Sequence, residues 1–116
     1  IRNSIIWGNG TSHVYNDDST PSYAYSLVEG LNPSGTGNLN GNSAGNDPLF
    51  ADPRLPASAP STAGDYRLQG DSPAINKGSN SFYAAGLTPN LSGITTDRDG
   101  NPRFNGAAVD MGAYEW

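Results

Sequence analysis

The sequence predicts an all-β chain, built as the last rungs of a parallel β-helix and closed by an irregular C-terminal cap. Three observations predict it. Short apolar runs recur at a fixed offset, turn-forming residues separate them, and no stretch carries a sustained helical period.

The repeat comes first. Ser4-Ile5-Ile6-Trp7-Gly8 aligns with Ser26-Leu27-Val28-Glu29-Gly30, 22 residues later, and Pro48-Leu49-Phe50-Ala51-Asp52 stands 22 further on. A run of four or five residues cannot bury itself alone. Stacked on equivalent runs, it pairs its backbone and hides one face. A leucine-rich repeat has a similar period, but its Leu-x-x-Leu-x-Leu signature is absent. A sandwich with coincident strand spacing is the competing architecture. Between the runs lie Asn16-Asp17-Asp18-Ser19 and Asn32-Pro33-Ser34-Gly35, residue types that bend the chain or cap its amides. Nine prolines limit helix length, and Ser81 to Leu87 has room for a single helical turn.

These signals divide the chain into rungs over residues 1–53 and an irregular cap over 54–116. Within the cap, Arg54 to Gly64 is rich in Pro, Ala and Ser and reads as a surface excursion. Tyr66-Arg67-Leu68 resumes an alternating strand, and Ser72 to Asn76 is another short run. Asp99-Gly100 is a tight-turn dipeptide, placing a hairpin between Ile94 and Phe104. Val109 to Trp116 reads as a closing strand, with Met111, Tyr114 and Trp116 covering the open end of the core. The residues expected to carry structure are Ile5, Trp7, Leu27, Val28, Leu49, Phe50, Asp110, Tyr114 and Trp116.

Composition narrows the function. Leu, Ile, Val and Phe supply 19 of 116 residues, and the net charge is −5. Those values alone lean toward disorder. Against that, the chain has one Lys and two Glu, but 15 Gly, 13 Asn and 13 Ser, the composition of many turns. With a pI near 4.4, the chain has too little positive charge to neutralise many phosphates, so nucleic acid is not an expected partner. Cysteine is absent, and no apolar run approaches the length of a membrane span. The chain opens on an apolar segment, as though cut from a longer solenoid. Its first rung, Ile1 to Asn9, would then present an unpaired edge on which two copies could dimerise.

Candidate chemistry is sparse. Asp97, Asp99 and Asn101 place several oxygens within five residues and are the candidate calcium ligands. Their spacing departs from an EF-hand loop, and the simpler reading is a turn capped by Asp97. Asp47, Asp52, Asp65 and Asp71 sit beside turn formers and read as caps. Asp110 and Glu115 interrupt an apolar segment, and a buried Asp110 needs partners such as Arg103 or backbone amides. Arg54, Lys77 and Arg103 match a lyase base by type only. His13 stands alone, without the second His or Cys of a zinc site. No catalytic set emerges. Tyr15, Tyr23 and Tyr83 lie in polar stretches and are the candidate sugar-stacking residues.

Several motifs occur in order. They are Asn3-Ser4-Ile5-Ile6-Trp7-Gly8-Asn9, Tyr25-Ser26-Leu27-Val28-Glu29-Gly30 and Asp47-Pro48-Leu49-Phe50-Ala51-Asp52-Pro53. Gly64-Asp65-Tyr66-Arg67-Leu68 and Ser72-Pro73-Ala74-Ile75-Asn76-Lys77-Gly78 follow. Thr96-Asp97-Arg98-Asp99-Gly100-Asn101-Pro102-Arg103 and Val109-Asp110-Met111-Gly112-Ala113-Tyr114-Glu115 complete the series. The series resembles the C-terminal region of pectin-lyase-like right-handed parallel β-helix proteins, surface proteins of Bacteroidetes and related bacteria often labelled choice-of-anchor. The resemblance implies a right-handed β-helix in a secreted or cell-surface protein. The repeat, the aromatic closing segment and the lack of a catalytic set then point to a noncatalytic part that caps the solenoid and supports surface presentation or adhesion, with the rest of a parent β-helix and polysaccharide as partners. Two alternatives stay open: a fragment of a polysaccharide lyase or glycoside hydrolase, and a carbohydrate-binding module. The excursion at Arg54 to Gly64 departs from the family pattern.

Overall fold

The computed structural model describes residues 1–10 and 14–116. The first two repeats meet as expected. β1 (Ile5–Ile6) and β2 (Leu27–Val28) pair in parallel, with Ile5 beside Leu27 and Ile6 beside Val28. The 22-residue offset is therefore a pairing register. Single parallel bridges extend the ladder from Arg2 to Ala24 and from Leu27 to Leu39.

The Leu27–Leu39 bridge is where the expected β-helix fails. Leu39 arrives 12 residues after Leu27 and takes the edge that the third repeat was expected to fill. Asn38 explains the early return. Its Oδ1 accepts the Ser26 amide at 3.0 Å, while its Nδ2 donates to the carbonyls of Tyr23 and Ser34 at 3.1 and 3.0 Å. One side chain thus folds the intervening loop onto β2. Gly41 completes the approach. Its amide donates to Leu31 O at 2.8 Å, and a Cβ at Gly41 would overlap the Val28 carbonyl.

The third repeat pairs elsewhere. β3 (Phe50–Asp52) runs antiparallel to β4 (Asp65–Leu68), with Phe50 beside Leu68 and Asp52 beside Asp65. Arg54 to Gly64 is the loop of this hairpin and holds a 3₁₀ turn over Pro56–Ser58. The described residues therefore form two separate two-stranded sheets, and no closed or solenoid sheet and no right-handed β-helix exists.

The closing segment corrects a second expectation. Val109 to Trp116 is not a strand. Gly112 sits at φ +97°, which interrupts extended backbone. Val109 and Met111 are fully buried, but Trp116 is 63% exposed and does not seal the core. The Asp99-Gly100 turn does reverse the chain, with the Asp97 amide donating to Asn101 O at 2.8 Å and one antiparallel bridge between Thr96 and Pro102. The short helical turn is a 3₁₀ turn over Asn80–Tyr83.

With so little sheet, side-chain amides do much of the stitching. Asn3 is 8% exposed; its Nδ2 donates to Ser79 O at 3.0 Å and its Oδ1 accepts the Ser79 amide at 2.8 Å. Asn3 O also accepts the Gly112 amide at 2.9 Å. Asn76 Oδ1 accepts the amides of Ala107 and Ala108. These contacts dock the closing segment on β1 around Leu27, Leu68, Ala74 and Met111. Among the described residues, no helix is long and apolar enough to cross a membrane.

Candidate functional site

Two neighbourhoods stand out, a buried cluster of charge and an aromatic cleft. The cluster gathers around the closing segment. Arg103 and Glu115 form an ion pair at 3.1 Å, with side chains 6% and 1% exposed. The Arg103 guanidinium also donates to Gly112 O at 2.8 Å and, through Nε, to Tyr83 Oη at 3.0 Å. Both Glu115 oxygens accept the Asp110 amide, at 3.2 and 3.1 Å. The Asp110 carboxylate in turn accepts the amides of Asn76 at 2.6 Å and Trp116 at 2.8 Å. Asp110 therefore takes backbone amides, and Arg103 takes Glu115 as its ion-pair partner.

Burial pushes the Glu115 carboxyl up to about 7. The Asp110 amide and Arg103 pull it down, while the negative charges of Asp110 and Asp97 add to the rise. Asp97 behaves in the opposite way. Burial works against its ionisation, but the amides of Glu115, Asn101 and Asp99 outweigh it and hold the carboxyl below its usual value. Those amides lie at 3.0, 2.8 and 2.9 Å.

The bonds within the cluster are directed inward. A general acid must reach the atom it protonates, and Glu115 is 1% exposed. Of the candidate calcium ligands, Asp97 is already engaged: its oxygens accept three backbone amides and Asn101 Nδ2 at 3.3 Å. Among the described residues, no three His, Cys, Asp or Glu are grouped to hold a metal ion. The three bases considered for lyase chemistry are dispersed. Arg54 pairs with Asp52 at 2.6 Å, Arg103 with Glu115, and Lys77 is exposed. His13 lies outside the described residues.

The aromatic cleft lies on the other side of the closing segment, with a volume of about 290 Å³. Trp7 follows β1, Phe50 opens β3, Tyr66 sits in β4 and Tyr114 comes from the closing segment. Met111 forms part of the lining, and Asn9 supplies an amide. Pleating explains the hairpin's share: Phe50 lies opposite Leu68, and Tyr66, two residues before Leu68, shares its face. The Phe50 and Tyr66 rings meet edge to face, centroids 5.4 Å apart, and Tyr66 remains 41% exposed.

The tyrosines predicted for sugar stacking do not line this cleft. Tyr15 is 84% exposed. Tyr23 is half-buried, its hydroxyl buried without a protein hydrogen-bond partner. Tyr83 gives its hydroxyl to Arg103 and packs edge to face on Phe104 at 5.3 Å. The cleft instead uses residues expected to be core, Trp7, Phe50 and Tyr114, together with Tyr66. The readable signal for Tyr66 was its place between two charged residues in an alternating strand. Comparison with protein-family models, with curated proteins and with solved structures found no match.

Proposed function

We propose that this chain is a noncatalytic glycan-binding module of a secreted or cell-surface bacterial protein, with a sugar ring seated in the aromatic cleft. One observation carries the reading. Four aromatic side chains from four separate segments line a single concavity with an apolar floor. Aromatic faces against C–H bonds, with a few polar groups at the rim, are what a ring with one apolar face needs. The volume of about 290 Å³ is at the small end for ligand pockets, which run from roughly 300 to 1,000 Å³. It suits one or two sugar units of a longer chain. The noncatalytic part is supported by the cluster, whose acids are spent on backbone amides and on Arg103. Secretion and the surface role in adhesion rest on the motif series in the sequence.

The test is an NMR titration of the protein with soluble oligosaccharides, followed at the Trp7 indole N–H. Saturable shifts at Trp7 and Tyr66, with the sugars recovered intact, are expected. No shift with any glycan would overturn the binding reading, and cleaved products would overturn the noncatalytic one.

A further inference from the structure

We infer that the cleft selects neutral sugars and rejects uronates, an inference that rests on the glycan-binding reading and names its ligand class. The argument is electrostatic. Among the described residues, the cleft lining contains no Asp, Glu, Lys, Arg or His. Its polar side-chain groups are the Asn9 amide, the Tyr66 and Tyr114 hydroxyls and the Trp7 indole N–H. Each can exchange hydrogen bonds with a sugar hydroxyl, and none can neutralise a carboxylate.

The charges on the two hairpin strands cancel locally, and the Glu29 carboxylate, which accepts the Gly8 amide at 2.7 Å between Trp7 and Asn9, adds negative charge beside the cleft. Arg67 is paired with Asp65 on either side of Tyr66, and that contact holds the Asp65 carboxyl down at about 2. Arg54 is paired with Asp52 at the end of β3. A uronate entering the cleft would give up water and meet no counter-charge. It would also approach a chain of net charge −5. Charge is gathered instead at a second, shallower concavity of about 330 Å³, lined by Asp97, Arg98 and Arg103. There Arg103 is committed to Glu115 and Asp97 to backbone amides. A cationic ligand would be attracted by the aromatic rings, but among the described residues no carboxylate lines the cleft to hold it.

Cellotriose, xylotriose and trigalacturonate should be titrated in parallel against the whole chain at pH 7, reading the Trp7 indole and the Tyr66 ring. A neutral trisaccharide is expected to bind at least tenfold more tightly than trigalacturonate. Tyr66→Ala is expected to weaken neutral binding about tenfold. Tyr66 is a half-exposed strand residue, and Tyr66→Phe, which keeps the ring, checks that the hairpin persists. Trigalacturonate binding at the cleft with equal or greater affinity would overturn the neutral selectivity and leave the glycan reading standing. Silence from these three and from the wider set of oligosaccharides would overturn both, and choline saturating the cleft in their place would replace the sugar with a cation.

Discussion

Neutralising Glu115 should remove a specific pH dependence of stability. In the folded chain its carboxyl sits at about 7, against 4.5 for an unperturbed glutamate. The folded state therefore holds a proton that the unfolded state has released between those values. Proton uptake in the folded state means that stability is present at low pH and is lost as pH rises from about 4.5 to about 7. The interval of about 2.5 pH units, at 1.36 kcal/mol each, makes the loss roughly 3 kcal/mol. Screening by solvent and by the Arg103 partner makes that figure an upper bound. For a chain of this length that is a fall in melting temperature of roughly 10 °C. The assay is a series of thermal melts from pH 4.5 to 8 on the wild-type chain and on Glu115→Gln, which cannot ionise. The wild-type midpoint should fall across the window while the variant stays level. A level or rising wild-type curve would refute the reasoning. So would an equal fall in both proteins, because the titrating group would then lie elsewhere.

Asn3→Ala should destabilise the chain by about 3 kcal/mol in urea unfolding. It removes two buried hydrogen bonds to Ser79 and leaves a residue at φ +46° that alanine tolerates poorly. A change below about 1 kcal/mol would mean that the Asn3 side chain contributes little to holding Ser79 against the first rung. On acidification, ionised Asp97 should stop contributing as pH falls below its unfolded value near 3.8. Asp97→Asn should flatten that acid limb of the melting curve. Calcium should leave the midpoint unchanged at millimolar concentration, since Asp97 already holds three amides, and a rise would show a site at Asp97, Asp99 and Asn101. β1 is an edge of its sheet, so small-angle scattering should detect a dimer as concentration rises; a monomer throughout would close that route.

The sequence by itself determined what local chemistry can decide. The parallel register of Ile5 on Leu27 was legible because one face of a short run must find an equivalent run. The turn at Asp97 to Asn101 was legible because an aspartate accepts amides two and four residues on without help from the rest of the chain. That a buried Asp110 must take backbone amides or Arg103 followed from the cost of burying a charge.

Tertiary structure decided the rest. The period could not show that Leu39 would reach β2 before the third repeat, since that choice depends on Asn38 bonding to Ser26, Tyr23 and Ser34 together. Nor could it show which carboxylate Arg103 would choose, because Glu115 and Asp110 lie on the same segment and differ only in what surrounds them. The cleft is the plainest case. Trp7, Phe50 and Tyr114 each read as core when judged by their neighbours in sequence, and Tyr66 as one residue of an alternating strand. They become one concave surface because the β3–β4 hairpin and the closing segment flank β1, the closing segment held by the Gly112 amide on Asn3 O and the Met111 amide on Ala74 O, contacts between distant residues that leave no local period.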